Sequence, residues 1–220
     1  MSGLLDVLRD FGPELLSGFG VTVRIVAASL VVAVGMGTLV AALRIAPAAP
    51  LRAVGAVYVE VFRNIPLLVL IFISFAGLRR AGIEVGAWTA AIASLGLYTS
   101  AYVAEALRSG VFSVGKGQRE AALSLGFTEG ETMRRIVLPQ AFRTVIGPLG
   151  SIIIAMIKNS AIIGVSLLAL GDLLKQARIG SSRTFQTDEY FFWAAVGYLV
   201  LTVGVTFVVR RLESRYAIRR

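Results

Sequence analysis

Apolar residues fill long stretches of this chain, and polar residues gather between them. Residues 21–43, 53–78, 85–107, 145–170 and 191–209 are each long and apolar enough to cross a bilayer core as a helix, which takes about 20 residues. The fourth stretch reaches that length only if Lys158 and Asn159 lie inside it. The pattern predicts an all-α integral membrane protein with five transmembrane helices. No internal repeat, low-complexity tract or long linker divides it, so residues 1–220 are expected to form one domain. Residues 173–188 form the longest connection on the side away from the main polar segment. A short surface helix is expected there, in a place where a binding protein has room to dock.

That main polar segment is residues 116–140, KGQREAALSLGFTEGETMRRIVLPQ. Residues 117–125 are dense in good helix formers and stop at Gly126, the residue best suited to left-handed backbone past a helix end. Thr128 stands three residues before Glu131, the spacing at which hydroxyl and carboxylate satisfy each other's backbone donors at a helix start. A second short helix is expected from there, ending before Pro139, which lacks an N–H and disfavours helix in the residue ahead of it. A surface pair resting on anionic headgroups through Arg134 and Arg135 is one reading of this island. A docking knob for a soluble partner makes better use of a rigid, capped helix pair.

Composition narrows the class. With 56% hydrophobic side chains and a mean hydropathy of +0.79, the chain has too little polar surface for a water-soluble globule. The net charge of +9 does not point to nucleic acid, because no folded polar domain exists to present a basic face. Its distribution sets orientation. Thirteen Lys and Arg fall on the side of the island, Arg219 and Arg220 among them, against six on the other. By the positive-inside bias the island, about residues 108–140, and the C-terminus are cytoplasmic and the N-terminus is outside. Asp6, Arg9, Asp10 and Glu14 precede any long apolar run, which argues against a cleavable signal peptide. Without histidine or cysteine there is no thiolate or imidazole for a metal, no disulfide and no cysteine nucleophile.

Candidate chemistry lies in a few polar residues. Gly110, Gly115 and Lys116 match the start of a phosphate-binding loop, G-x-x-x-x-G-K, but Gly117 follows where magnesium would need a hydroxyl, and a membrane helix precedes in place of a strand. The chain itself is expected to bind no ATP, magnesium or other cofactor. Charges within the spans cost about 2.5 to 3.5 kcal/mol each at a helix centre and usually face protein or a water-filled path. Glu60 and Arg63, and Glu105 and Arg108, are three residues apart, so each pair can neutralise itself on one helix face. Arg63 is followed by Asn64 and Pro66, a polar, proline-broken step that can release backbone groups toward a cavity. Lys158, Asn159 and Ser160 interrupt the fourth span near its middle. They suit either a substrate path or a helix lock in which Lys158 pairs with Glu60 or Glu105. Arg24 lies near a span end and can snorkel.

With these residues in view, the chain resembles the membrane permease subunits of ATP-binding-cassette importers for polar amino acids. Their cytoplasmic loop carries E-A-A, a glycine and a later hydrophobic-L-P, here Glu120, Ala121, Ala122, Gly126, Val137, Leu138 and Pro139. The likeness extends to Phe62-Arg63-Asn64, Pro66 and Leu67, to the segment from Ala101 to Gly110, to Lys116-Gly117-Gln118, and to Lys158-Asn159-Ser160. Within the family it looks most like glutamate permeases of high-GC Gram-positive bacteria, departing from the usual pattern at Ile65, Leu70 and Ala161. The resemblance implies a type I importer permease fold in a bacterial cytoplasmic membrane, crossed several times. It implies that Gly117, Gln118, Glu120, Ala121, Ala122, Gly126 and Pro139 belong to the loop that docks on a separate ATPase dimer. It also implies a second permease subunit, identical or a sister, an extracellular solute-binding protein, and a polar amino acid such as glutamate or glutamine as cargo. On the residues alone, Arg63, Asn64, Lys158, Asn159 and Ser160 are the candidate substrate path, with Glu60 and Glu105 as alternatives serving structure. A secondary transporter or channel working without ATP is the competing class; it leaves the island without a purpose. A structural or signalling subunit would leave the buried polar steps idle.

Overall fold

The computed structural model describes residues 2–166, 168 and 170–216, and among these every regular element is a helix. Eight are distinguished here: α1 Ser2–Ile45, α2 Ala49–Asn64, α3 Leu67–Arg80, α4 Ala87–Phe112, α5 Lys116–Ser124, α6 Glu129–Val165, α7 Leu173–Thr184 and α8 Thr187–Tyr216. Helices α1, α4, α6 and α8 are long and apolar enough to cross a bilayer, and α2 with α3 makes a fifth, bent passage. Arg219 and Arg220, counted in the charge asymmetry, lie outside the described residues.

Glycines set how closely these helices approach. A Cβ on Gly37 would come within 2.6 Å of Val103, and one on Gly96 within 2.7 Å of Val32, so α1 and α4 lie parallel over several turns with backbones almost touching. Gly110 likewise meets Val145, which places the middle of α6 against the end of α4, and Gly147 meets Glu213 while Gly150 meets Val209, which runs α8 antiparallel to α6. Close approach through small residues is how helices gain contact where lipid gives no hydrophobic drive. Gly110 thus has a packing role, apart from any phosphate loop. The main core joins Ile25, Ile71, Leu95, Met156 and Ile163 from α1, α3, α4 and α6.

The second passage breaks at its expected proline step: Ile65 is extended (φ −86°, ψ 127°) ahead of Pro66, and the axes on either side turn by 101°. Two other expectations are corrected. Lys158, Asn159 and Ser160 do not break the fourth span. The helix is continuous through them and stops at Val165, with Ser166 extended, because three polar side chains leave the helical backbone hydrogen bonds intact. Pro139 does not end the second island helix either. A wide turn at Met133–Val137 takes up the missing donor, with the Leu138 N–H reaching back to the Met133 carbonyl, and the helix runs on for 37 residues from Glu129 to Val165. Such wide turns accommodate an irregularity without ending the helix.

The predicted helix after residue 173 exists as α7, but it is not loose on the surface. Leu173, Ala177 and Gly180 are buried against Val7, Phe11, Leu15, Tyr190 and Ala194 of α1 and α8. Phe11 and Tyr190 meet edge to face at 5.3 Å. The first half of α1 is therefore tied to the α7–α8 corner, and Trp193 Nε1 donates to the Leu4 carbonyl at 2.9 Å.

Candidate functional site

The island forms the helix–glycine–helix unit that local chemistry demands. Helix α5 ends at Gly126, whose φ is +88°. The Gly126 N–H bonds the Leu123 carbonyl at 3.0 Å and the Phe127 N–H bonds the Ala122 carbonyl at 3.2 Å, the paired bonds of a left-handed glycine cap. Two residues on, the Glu131 N–H donates to the Thr128 hydroxyl at 3.3 Å and the Thr128 N–H donates to the Glu131 carboxylate at 3.0 Å. Arg119 clamps the turn from outside, its guanidinium donating twice to Glu129 at 3.0 and 2.7 Å. Ala122 faces inward at 2% exposure, while Leu125, at the tip, is 78% exposed. Gly117, Gln118, Glu120, Ala121 and Pro139 are also exposed. The knob therefore holds its shape by its own bonds and offers an apolar tip.

Because α6 starts in the knob and runs unbroken to Val165, it joins the knob to the bundle interior. At 1.5 Å per residue its 37 residues span about 55 Å. Just past the end of α4, the Ser113 hydroxyl is also linked to the Thr144 hydroxyl of α6 at 3.3 Å.

Polar groups collect at two adjoining clefts. Glu60, Arg63, Asn64 and Tyr102 line one of about 240 Å³. Tyr98, Thr99, Tyr102, Ile152, Met156 and Asn159 are among the residues lining a second of about 220 Å³. Tyr102 belongs to both. The Arg63 guanidinium sits 5.3 Å from the centre of its ring, and its hydroxyl pairs with that of Tyr98 at 3.1 Å. This cation–π contact holds the exposed guanidinium over the ring. Glu60 does not pair with Arg63. Its side chain and carbonyl both accept from Asn64 Nδ2, at 3.0 and 2.7 Å, which leaves the guanidinium open toward the cleft.

The remaining candidates separate. Glu105 joins Arg44 of α1, at 3.0 Å, to Arg108 of its own helix, at 3.1 Å from Nε, so the expected pairing is present and extended to a third group. This triad ties the end of α1 to α4 and has no part in either cleft. Lys158 is exposed and, among the described residues, makes no ion pair, so the helix lock with Glu60 or Glu105 is not formed. Ser160 is buried on the other face of α6, donating to the Ile157 carbonyl at 2.7 Å. Arg24 is exposed.

The sequence reading passed over Tyr98 and Tyr102. Their signal was available, since the i, i+4 spacing puts both rings on one face of α4, yet a tyrosine in an apolar helix carries no charge to single it out. An ion-clamped helix bundle crossing the membrane several times, with open clefts along its flank and a rigid knob at one end, defines a membrane permease component. The chain belongs to the family of binding-protein-dependent transport system inner membrane components, whose pattern it matches over residues 33–218. Among its relatives, the probable glutamine ABC transporter permease protein GlnM of Bacillus subtilis is 41% identical over 216 residues, covering 96% of this chain and 99% of the relative. The glutamate transport system permease protein GluC of Corynebacterium glutamicum is 38% identical, covering 96% and 97%. The crystal structure of an amino acid ABC transporter with histidines aligns with a TM-score of 0.90 at 34% identity, covering 96% of this chain and 98% of that one. Inward-facing MetNI methionine transporter structures, at 20% identity and a TM-score of 0.72, share the fold.

Proposed function

We propose that this chain is the permease subunit of an ATP-driven importer for a polar amino acid, with glutamine or glutamate the favoured cargo. The observation that carries this reading is the unbroken α6, which begins in a self-capped knob and ends beside a cleft lined by Asn159. In this reading the knob, through Glu120, Ala121, Gln118 and the exposed Leu125, seats in a cytoplasmic ATPase; Gly117 keeps the approach clear and Gly126 holds the angle. ATP and its magnesium stay on that partner. Closure of an ATPase dimer tilts α6, and with a second permease subunit opposite, access to the clefts alternates between the two faces of the membrane.

The N-terminus lies outside, with the knob and C-terminus in the cytoplasm, as the arginine and lysine distribution requires. An external binding protein delivers the amino acid at the α7–α8 corner. Arg63, held over Tyr102 and free of Glu60, meets the cargo carboxylate, while Asn64 and Asn159 supply amide contacts. Lys158, exposed and without an ion pair among the described residues, meets the second subunit or the path between them in this reading. Glu60 positions Asn64, Glu105 holds α1 to α4, and Ser160 serves structure on the far face of α6. The name of each relative's cargo supports the class, and the two clefts, together about 460 Å³, hold a single amino acid comfortably.

Reconstitution in proteoliposomes with its ATPase and binding protein tests this directly. ATP-dependent uptake of glutamine or glutamate is expected. Gradient-driven uptake by the chain alone, unaffected by ATP, would make it a secondary transporter instead.

A further inference from the structure

Four helices meet around Asp172, at the end of the bundle away from the knob, and among the described residues no side chain gives its carboxylate a hydrogen bond. The residue is 1% exposed and both carboxylate oxygens are buried without a partner. It stands at the N-cap position of α7 but closes no side-chain cap. The N–H groups of Leu174, Lys175 and Asp172 itself face it and offset part of the cost of burial, but at a distance or angle outside good hydrogen-bond geometry. The socket is built by glycines. A Cβ on Gly164 of α6 would come within 2.6 Å of Oδ2, and one on Gly18 of α1 within 3.1 Å of the Asp172 carbonyl carbon. Gly171, at φ +71°, turns the chain into it.

Each surrounding helix adds polar groups. From α1, the Thr22 hydroxyl accepts the Leu173 N–H at 3.1 Å and donates to the Gly18 carbonyl at 3.1 Å. From α8 comes the Tyr198 hydroxyl, which faces Asp172 with Ser160 of α6 and Thr22 beside it and, among the described residues, makes no well-formed hydrogen bond. The charged groups that face the site are on α7: Lys175, and Arg178, whose Nη1 donates to the Gly164 carbonyl at 3.2 Å.

A carboxylate buried with only distant backbone N–H groups and no side-chain partner is costly to keep charged. The same group protonated carries its own donor and no charge. We propose that Asp172 is a proton-binding latch that seats α7 on the bundle. With the carboxyl protonated, it occupies the glycine socket between α1 and α6. When its O–H proton passes to solvent water, the carboxylate leaves the socket toward the Lys175 ammonium, and the α6–α7 junction loosens. Burial pushes the Asp172 carboxyl from 3.8 up to about 6, so the latch operates in mildly acidic to neutral surroundings. Ser160 and Gly164 present one face of α6 to this socket while Asn159 lines the cleft on another, so the latch and the cleft share one rigid rod.

The chain has no cysteine, so a single introduced one reports on the junction without background. Thiol labelling of Leu174→Cys in the purified full chain, normalised at each pH to Phe185→Cys at a position 90% exposed, follows the opening of α7. Normalised labelling is expected to rise about tenfold from pH 5 to pH 7.5 with a midpoint near 6, following ionisation of one carboxyl. Adding Asp172→Asn, which keeps the shape and removes the charge, is expected to hold labelling low and flat across that range. A flat profile in Leu174→Cys alone overturns the latch whether or not the Asn variant folds, and so does an unchanged midpoint in the double variant.

Discussion

Gly126→Ala isolates the hinge of the knob from everything else in the molecule. A Cβ built on Gly126 meets nothing within 4 Å, so substitution adds no clash, and the whole cost is that of holding a residue with a side chain at φ +88°. That cost is about 1–2 kcal/mol for an L-residue in left-handed backbone. Asparagine, which tolerates this region better, lies below alanine, and proline, fixed near φ −65°, cannot adopt the conformation at all. The strain is relieved by releasing the two cap bonds from Gly126 and Phe127, which frees α5 from its set angle. An energy of 1–2 kcal/mol shifts the ordered knob against the released one by a factor of about 5–30. Because the knob projects beyond the bundle and joins it only at the end of α4 and through α6, the thermal midpoint of the bundle should hardly move. ATPase stimulation by liganded binding protein and ATP-driven uptake, measured in proteoliposomes with equal amounts of assembled complex, should fall in the order Gly126, Asn, Ala, Pro. Equal coupling in the Ala and Pro variants would refute the argument that the glycine conformation carries force, as would a loss explained by a matching drop in bundle stability.

Other outcomes follow from the same geometry. Gly37→Val drives a side chain into Val103 and the Ser100 carbonyl at 2.6 and 2.9 Å and should lower the stability of the detergent-solubilised chain by about 1–3 kcal/mol; Gly35→Ala, with nothing within 4 Å, should leave its melting temperature unchanged or higher. Since the folded Asp172 carboxyl titrates at about 6 against 3.8, its stabilisation is complete below 3.8 and is lost as pH rises through 6, a change on the order of 3 kcal/mol. Asp172→Asn should therefore melt above the unsubstituted chain at pH 8, with the gap closing toward pH 4.5; a gap independent of pH would contradict this. Arg63→Ala should raise the uptake KM at least tenfold with the complex intact, and Tyr102→Phe, which keeps the ring under Arg63, should lose much less; equal losses would remove the cation–π account. Lys158→Ala should abolish uptake without disturbing assembly, and normal kinetics in that variant would exclude a role in the path.

What could be read along the chain was whatever depends on neighbours within about five residues. The glycine cap at Gly126 and the Thr128–Glu131 box are of this kind, and both formed as their spacing required. The Glu105–Arg108 pair also formed, being set by a helical repeat. Sequence spacing failed where a distant group competed. Glu60 was in register with Arg63, yet Asn64 satisfied Glu60 and Tyr102, some forty positions on, drew the guanidinium away. Lys158 was read as a break because charge marks it, although a charged side chain at a helix surface leaves the backbone bonds intact.

The amino-acid sequence by itself determined that this is a helical membrane protein, where its chain crosses, and which polar segment forms the knob, because apolar length, caps and turn glycines act locally. Only the tertiary structure decided that α6 runs through Pro139 from knob to cleft, that Tyr98 and Tyr102 rather than Lys158 line the adjoining clefts, and that Asp172 is sealed among four helices. These depend on which helix faces meet and on the glycines that let backbones approach, and no single stretch of chain contains that information.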